Sequence, residues 1–140
     1  MVTPTDAQSL LFVYGTFRWG SENPHAAFLH RCCRYVTPAT LPGKLYRIGG
    51  MAAVIHHPQA NDKVVGDVLE LSAAQRMPIL ETLDRYVGIG NGFPKPHAYK
   101  RRMVTAYDPQ GNLVECHAYL YELRTSSVAI KSGDWLGDGL

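Results

Sequence analysis

The chain has 140 residues, 46% hydrophobic and 19% charged, with a formal net charge of +2 at pH 7. That length suits one domain with a real core, the balance carries no signature of disorder, and the small charge excess excludes a general nucleic-acid binder. No apolar run approaches the roughly 18 residues of a membrane span, and residues 1–9 lack the apolar centre of a signal peptide.

Residues 1–9 read as a short flexible lead-in, and Leu10 to Tyr14 as a first strand that stops in Tyr14-Gly15-Thr16. A glycine there lets the chain turn without a Cβ clash, and the N–H groups that follow are left pointing at one spot. Such a turn can cradle a carboxylate or serve simply as a strand ending. Asn23-Pro24 is a helix-start signal, with Asn as N-cap and Pro in the first helical position, so a short helix is expected through His30. Arg34 to Ile48 is β-branched and aromatic but interrupted by Pro38 and Pro42, which predicts a bent or edge strand. Ala52 to His56 and Lys63 to Leu71 follow as strands.

The period then changes. Met77, Leu80, Leu83 and Tyr86 or Val87 recur every three or four residues, giving a helix over Ser72 to Tyr86 that Pro78 should kink or restart. Its carboxylates, Glu81 and Asp84, then fall on the solvated face. Gly88 to Pro96 is a loop, in which Ile89 and Phe93 could meet a partner or fold back on the core. Tyr99 to Tyr107 and Leu113 to Leu123 form a hairpin across Asp108-Pro109-Gln110-Gly111-Asn112. About six strands and two helices in one domain suggest an α+β fold built on a small closed or half-closed barrel.

Few residues advertise chemistry. His25, His30, His56, His57, His97 and His117 show no metal-ligand spacing, and no phosphate-binding glycine loop is present. Lys100-Arg101-Arg102 reads as a solvated strand face. Cys32, Cys33 and Cys116 form no disulfide framework, which points to a reducing compartment and the cytoplasm; Cys116, among strand residues, reads as a buried thiol.

Taken in order, the segments resemble the γ-glutamylcyclotransferase-like (AIG2-like) family. The resemblance rests on Val13-Tyr14-Gly15-Thr16-Phe17-Arg18, Gly66-Asp67-Val68, Leu83-Asp84-Arg85-Tyr86-Val87-Gly88, Tyr99-Lys100-Arg101-Arg102, Ala118-Tyr119-Leu120-Tyr121 and Ser132-Gly133-Asp134-Trp135. It implies a single domain over residues 10–140, a small mixed β-barrel flanked by helices. It also implies a cavity beside the Tyr-Gly-Thr turn, and release of 5-oxoproline from γ-glutamyl amines or peptides with no cofactor and no metal. Tyr14, Gly15, Thr16 and Phe17 would cradle the substrate through backbone N–H groups, beside Tyr99 and with Tyr121 closing the pocket by its hydroxyl.

One departure decides the functional question. Where the family's Leu-Asp-x-x-Glu-Gly pattern places its proton-carrying glutamate, this chain has Val87. Asp84, one helical turn earlier, is the substitute base to test, with Glu81, Glu70 and Glu115 further off. Three functions remain open: a cyclotransferase with a displaced base, a silent relative binding a γ-glutamyl or amino-acid-like small molecule, and an interaction domain used for its surface.

Overall fold

A computed structural model of the chain describes residues 6–125 and 127–138, with side chains through residue 136. Residues 1–5 of the expected lead-in lie outside the described residues, and Ala7–Ser9 form a 3-10 turn capped by Asp6.

Strand β1 (Leu10–Val13) is buried at every position, because it is covered on both faces. Leu10, Phe12 and Tyr14 point into one apolar cluster, and Leu11 and Val13 into another. Strand β6 (Leu113–Tyr121) divides its residues in the same way. Cys116, Ala118 and Leu120 join Phe12, whereas Tyr119 joins Leu11. The first cluster fills a barrel. The second lies between that barrel and the helices.

The barrel closes from five strands. With β2 at Cys33–Ile48, β3 at Met51–His56, β4 at Lys63–Leu71 and β5 at Tyr99–Tyr107, the sheet order is β3-β2-β4-β1-β6-β5, and β2 also pairs β5 to complete the ring. The β1–β6 pairing is parallel and the others are antiparallel, so the barrel is mixed. β3 (Met51–His56) lies outside the ring as the second arm of a hairpin with the far half of β2.

Of the two expectations for β2, bent or edge, the structure has the bend: the strand is paired on both sides and is not an edge. Its first half pairs β4 (Lys63–Leu71) through Pro42, with a register shift between Tyr35 and Thr37, and its second half pairs β3. The shift bends the strand, so one long element serves two partners.

Helix α1 (Pro24–Cys32) is capped as its sequence implies, Asn23 accepting from the His25 amide at 2.8 Å. Helix α2 begins at Arg76, not Ser72, and ends at Tyr86. Pro78 falls in its first turn, where its missing N–H has no helical partner to lose, so it marks the start of the helix. The buried face is Ile79, Leu80, Leu83 and Val87, whereas Met77 and Tyr86 are exposed. Each such buried side chain contributes about 1.5–3 kcal/mol, which docks α2 on the outer face of the barrel. A short helix, α3 (Trp135–Asp138), follows the closing Gly-Asp-Trp motif and was not signalled by periodicity. No helix among the described residues is long and apolar enough to cross a membrane.

Candidate functional site

The end of β1 builds one wall. Gly15–Phe17 form a single 3-10 turn, closed by the Phe17 amide donating to the Tyr14 carbonyl at 3.4 Å and the Arg18 amide to that of Gly15 at 3.2 Å. The Gly15 and Thr16 amides precede these bonds and take no part in them. Gly15 has φ +64°, and a Cβ placed on it would lie 2.5 Å from the Ala52 Cβ. Both the left-handed backbone and the close approach of β3 therefore require glycine.

Arg18 fixes this turn from behind. Its guanidinium reaches Asp67 at 3.3 Å and Asp134 at 2.8 Å. Asp67 is 3% exposed and also accepts from the Trp19 amide at 3.1 Å. Three segments that the sequence marked separately thus meet at one ion network, which satisfies a carboxylate that would be costly to bury alone.

The end of α2 builds the second wall. The Ile89 amide donates to the Asp84 carbonyl at 2.9 Å and the Gly88 amide to that of Arg85 at 3.2 Å, with Gly88 at φ +85°. This double bond with a left-handed glycine is the Schellman ending. Val87 is left at the cap, where its side chain faces the cavity. Ile89 folds back onto the outer cluster, while Phe93 stays partly exposed.

Asp84 and Arg101 are not on solvated faces. Asp84 holds Arg101 through two bonds, at 3.0 and 3.2 Å, and accepts the Tyr119 hydroxyl proton at 2.6 Å. Glu81, Lys100 and Arg102 are exposed, as expected of a solvated face. Arg102 pairs with Glu122.

Between these walls lies a cavity enclosing about 40 Å³, with exposed Gly50 and Tyr86 on its rim. β1 and its turn contribute Phe12, Val13, Tyr14, Thr16 and Phe17; β3 contributes Met51 and Ala52; Val87, Tyr99 and Tyr119 complete it. None of these described lining residues carries a formal charge. Three hydroxyl protons are already committed to the protein. Tyr14 donates to the Tyr119 carbonyl at 2.5 Å, Tyr99 to the Ala52 carbonyl at 2.9 Å, and Tyr119 to Asp84. Burial, followed by the neighbouring Tyr121 and Tyr86, pushes the Tyr99 hydroxyl up to about 12. Burial pushes Tyr14 and Tyr119 higher still, the Asp84 carboxylate adding to it at Tyr119. All three stay protonated at neutral pH.

The structure brings Tyr14, Thr16, Phe17, Val87 and Tyr99 of the sequence-derived set to this cavity. Gly15 forms the turn without lining it. Tyr121 is not among the lining residues, its ring lying edge-on to that of Tyr99 with centroids 5.4 Å apart, and Asp84 is bonded to the Tyr119 hydroxyl. The reading missed Tyr119, which shares a strand face with Tyr121, and β3, whose approach to the turn is a tertiary event. Among the described residues, no group of three or more His, Cys, Asp or Glu is arranged to hold a metal ion.

A five-stranded mixed barrel with an outer helix and a small aromatic cavity at one strand end defines the class of fold. Residues 11–137 match the profile of the family described as gamma-glutamyl cyclotransferase, AIG2-like. The chain belongs to that family. An AIG2-like protein from Mus musculus superposes with a TM-score of 0.68 at 18% identity, covering 92% of this chain and 90% of the mouse one. A structure described as gamma-glutamyl cyclotransferase superposes at 0.55 with 20% identity, over 86% of this chain and 68% of its own. YkqA from Bacillus subtilis superposes at 0.63 with 24% identity over 91% of this chain, which spans only 39% of that protein. At these identities the likeness carries the fold. No curated protein matches the sequence.

Proposed function

We propose that this protein is a γ-glutamylcyclotransferase-like binding protein, which holds an amino-acid-like small molecule beside the Tyr14-Gly15-Thr16 turn without closing it to 5-oxoproline. The supporting observation is the cavity wall: Val87 stands at its lip, and no described Asp or Glu lines it. Cyclisation needs a group that takes the ammonium proton and returns one to the leaving amine. Such help is worth about 10²–10⁴ in rate, and positioning alone does not replace it. A base must also reach its proton within hydrogen-bond distance.

A second reading is kept alive by one contact. Tyr119 lines the cavity and its hydroxyl donates to Asp84, which offers a proton route between them. Two features weigh against this route. Asp84 already accepts three donors, and the Tyr119 hydroxyl is held firmly protonated. The binding reading also assigns the protein to the cytoplasm, in keeping with its three free thiols.

The test pairs two readouts on one protein sample. Thermal shift and calorimetry with γ-glutamyl amines, γ-glutamyl dipeptides and free amino acids should show saturable binding. A 5-oxoproline assay on the same mixtures should stay at the buffer rate. Turnover, or no binding by any compound, overturns the proposal.

A further inference from the structure

We infer that the adjacent thiols of Cys32 and Cys33 form a two-sulfur binding site for a monosubstituted trivalent arsenical, R–As(OH)2, in a cleft separate from the cavity.

The fold sets the two sulfurs together. Cys32 ends α1 and Cys33 begins β2, with φ −129° and ψ 158°, so a helical residue is followed at once by an extended one. Both are free and half-buried, and both side chains pack against the outer apolar cluster. Both residues line one cleft with Ser9, Leu71 and Ser72, and neither lines the cavity beside the Tyr14-Gly15-Thr16 turn. They are poor partners for each other. Consecutive Cα atoms stand about 3.8 Å apart across a trans peptide, short of the ~4.4–6.8 Å that a disulfide spans. One atom set between the sulfurs enlarges the ring and relaxes that constraint.

Donor count selects the atom. A structural zinc needs four ligands, and among the described residues no group of three or more His, Cys, Asp or Glu is placed to hold a metal ion. The carboxylates of the cleft are engaged, Glu70 by Arg34 at 2.7 Å and Asp6 by Arg76 at 3.2 Å. Two sulfurs alone suit a soft centre that brings its own remaining substituent. Trivalent arsenic bonded to one carbon is such a centre, and its dihydroxide is neutral, so it asks for no counter-charge from ion pairs already closed.

The exchange balances without an oxidant or a reductant. Two As–O bonds break and two As–S bonds form, and each hydroxide leaves as water with one thiol proton. Burial pushes the Cys33 thiol up to about 12, so it keeps the proton that this condensation consumes. Whichever sulfur bonds first, its neighbour closes the ring within the molecule, and the second bond gains from that proximity.

The test is phenylarsine oxide, hydrated in water to the dihydroxide, titrated into the reduced native protein and followed by calorimetry and intact-mass spectrometry. One adduct per chain should form, persist in excess 2-mercaptoethanol and be released by 2,3-dimercaptopropanol. Cys32→Ser and Cys33→Ser should each weaken binding by about 100-fold or more, because the second bond is lost. Cys116→Ser, at a lone buried thiol, should leave it unchanged. The inference is overturned by an adduct that the monothiol strips from the native protein, by either single variant binding as tightly as native, or by an adduct that needs Cys116. Uptake only in urea, where the cleft is gone, overturns it too. The monothiol and dithiol competition is read on the native protein and does not depend on any variant folding.

Discussion

Gly15→Ala tests whether the site is held by backbone and close approach at once. The new methyl would lie 2.5 Å from the Ala52 Cβ, at a residue whose φ is +64°. Holding an L-residue in the left-handed region costs roughly 1–2 kcal/mol. Overpacking by one methyl costs about 1–3 kcal/mol more. Together these give a loss of about 2–5 kcal/mol, or about 6–20 °C in Tm at ~3–4 °C per kcal/mol for a chain of this size. Urea unfolding followed by tryptophan fluorescence measures it directly. Ala52→Gly in the same background removes the collision but not the backbone strain. The double variant should therefore recover the overpacking part only, leaving about 1–2 kcal/mol of strain plus about 0.5–1 kcal/mol for glycine in a strand. A single variant within about 0.5 kcal/mol of native, or a double variant no better than the single, would refute the reasoning.

Other perturbations read out the supporting network. Arg101→Met leaves the Asp84 carboxylate partly buried with two bonds missing, and should cost about 1–3 kcal/mol in urea. His117 is buried, its Nε2 beside the Gln8 carbonyl at 3.1 Å, and its pKa is lowered chiefly by burial and then by Arg101. Because the unfolded chain takes up that proton more readily, the contribution of His117 to stability is full above about pH 6.5 and is lost as pH falls through the lower folded value. His117→Gln should flatten that part of a Tm-against-pH curve. Burial pushes the Cys33 and Cys116 thiols up to about 12, so at pH 8 both should react with a disulfide reagent far more slowly in the folded protein than in urea.

Local chemistry made most elements legible. Asn23-Pro24 announced α1, the Asp108-Pro109-Gln110-Gly111-Asn112 turn announced the β5–β6 hairpin, and Tyr14-Gly15-Thr16 marked the end of β1. Where the reading slipped, tertiary structure was the cause. Periodicity admitted Met77, and Tyr86 or Val87, to the buried face of α2; Val87 is buried, but Met77 and Tyr86 are exposed and Ile79 is buried in addition. Proline marked β2 as bent or an edge; it is bent by a register shift and, paired on both sides, is no edge, so it serves both the barrel and the hairpin. Asp84 read as solvated because nothing local foretells that Arg101 and Tyr119 cross to it from other strands. Val87 was legible as a departure from the family pattern. The lack of charge around it emerges only when four strands and a helix end converge.

Release of 5-oxoproline from γ-glutamyl amines by the native protein, Val87→Glu and Asp84→Asn, side by side, is the most direct test of a pocket kept without its proton carrier. The expected result is silence in the native protein and in Asp84→Asn, with activity appearing in Val87→Glu. Turnover by the native protein that disappears in Asp84→Asn would contradict it and make this chain an enzyme with a displaced base.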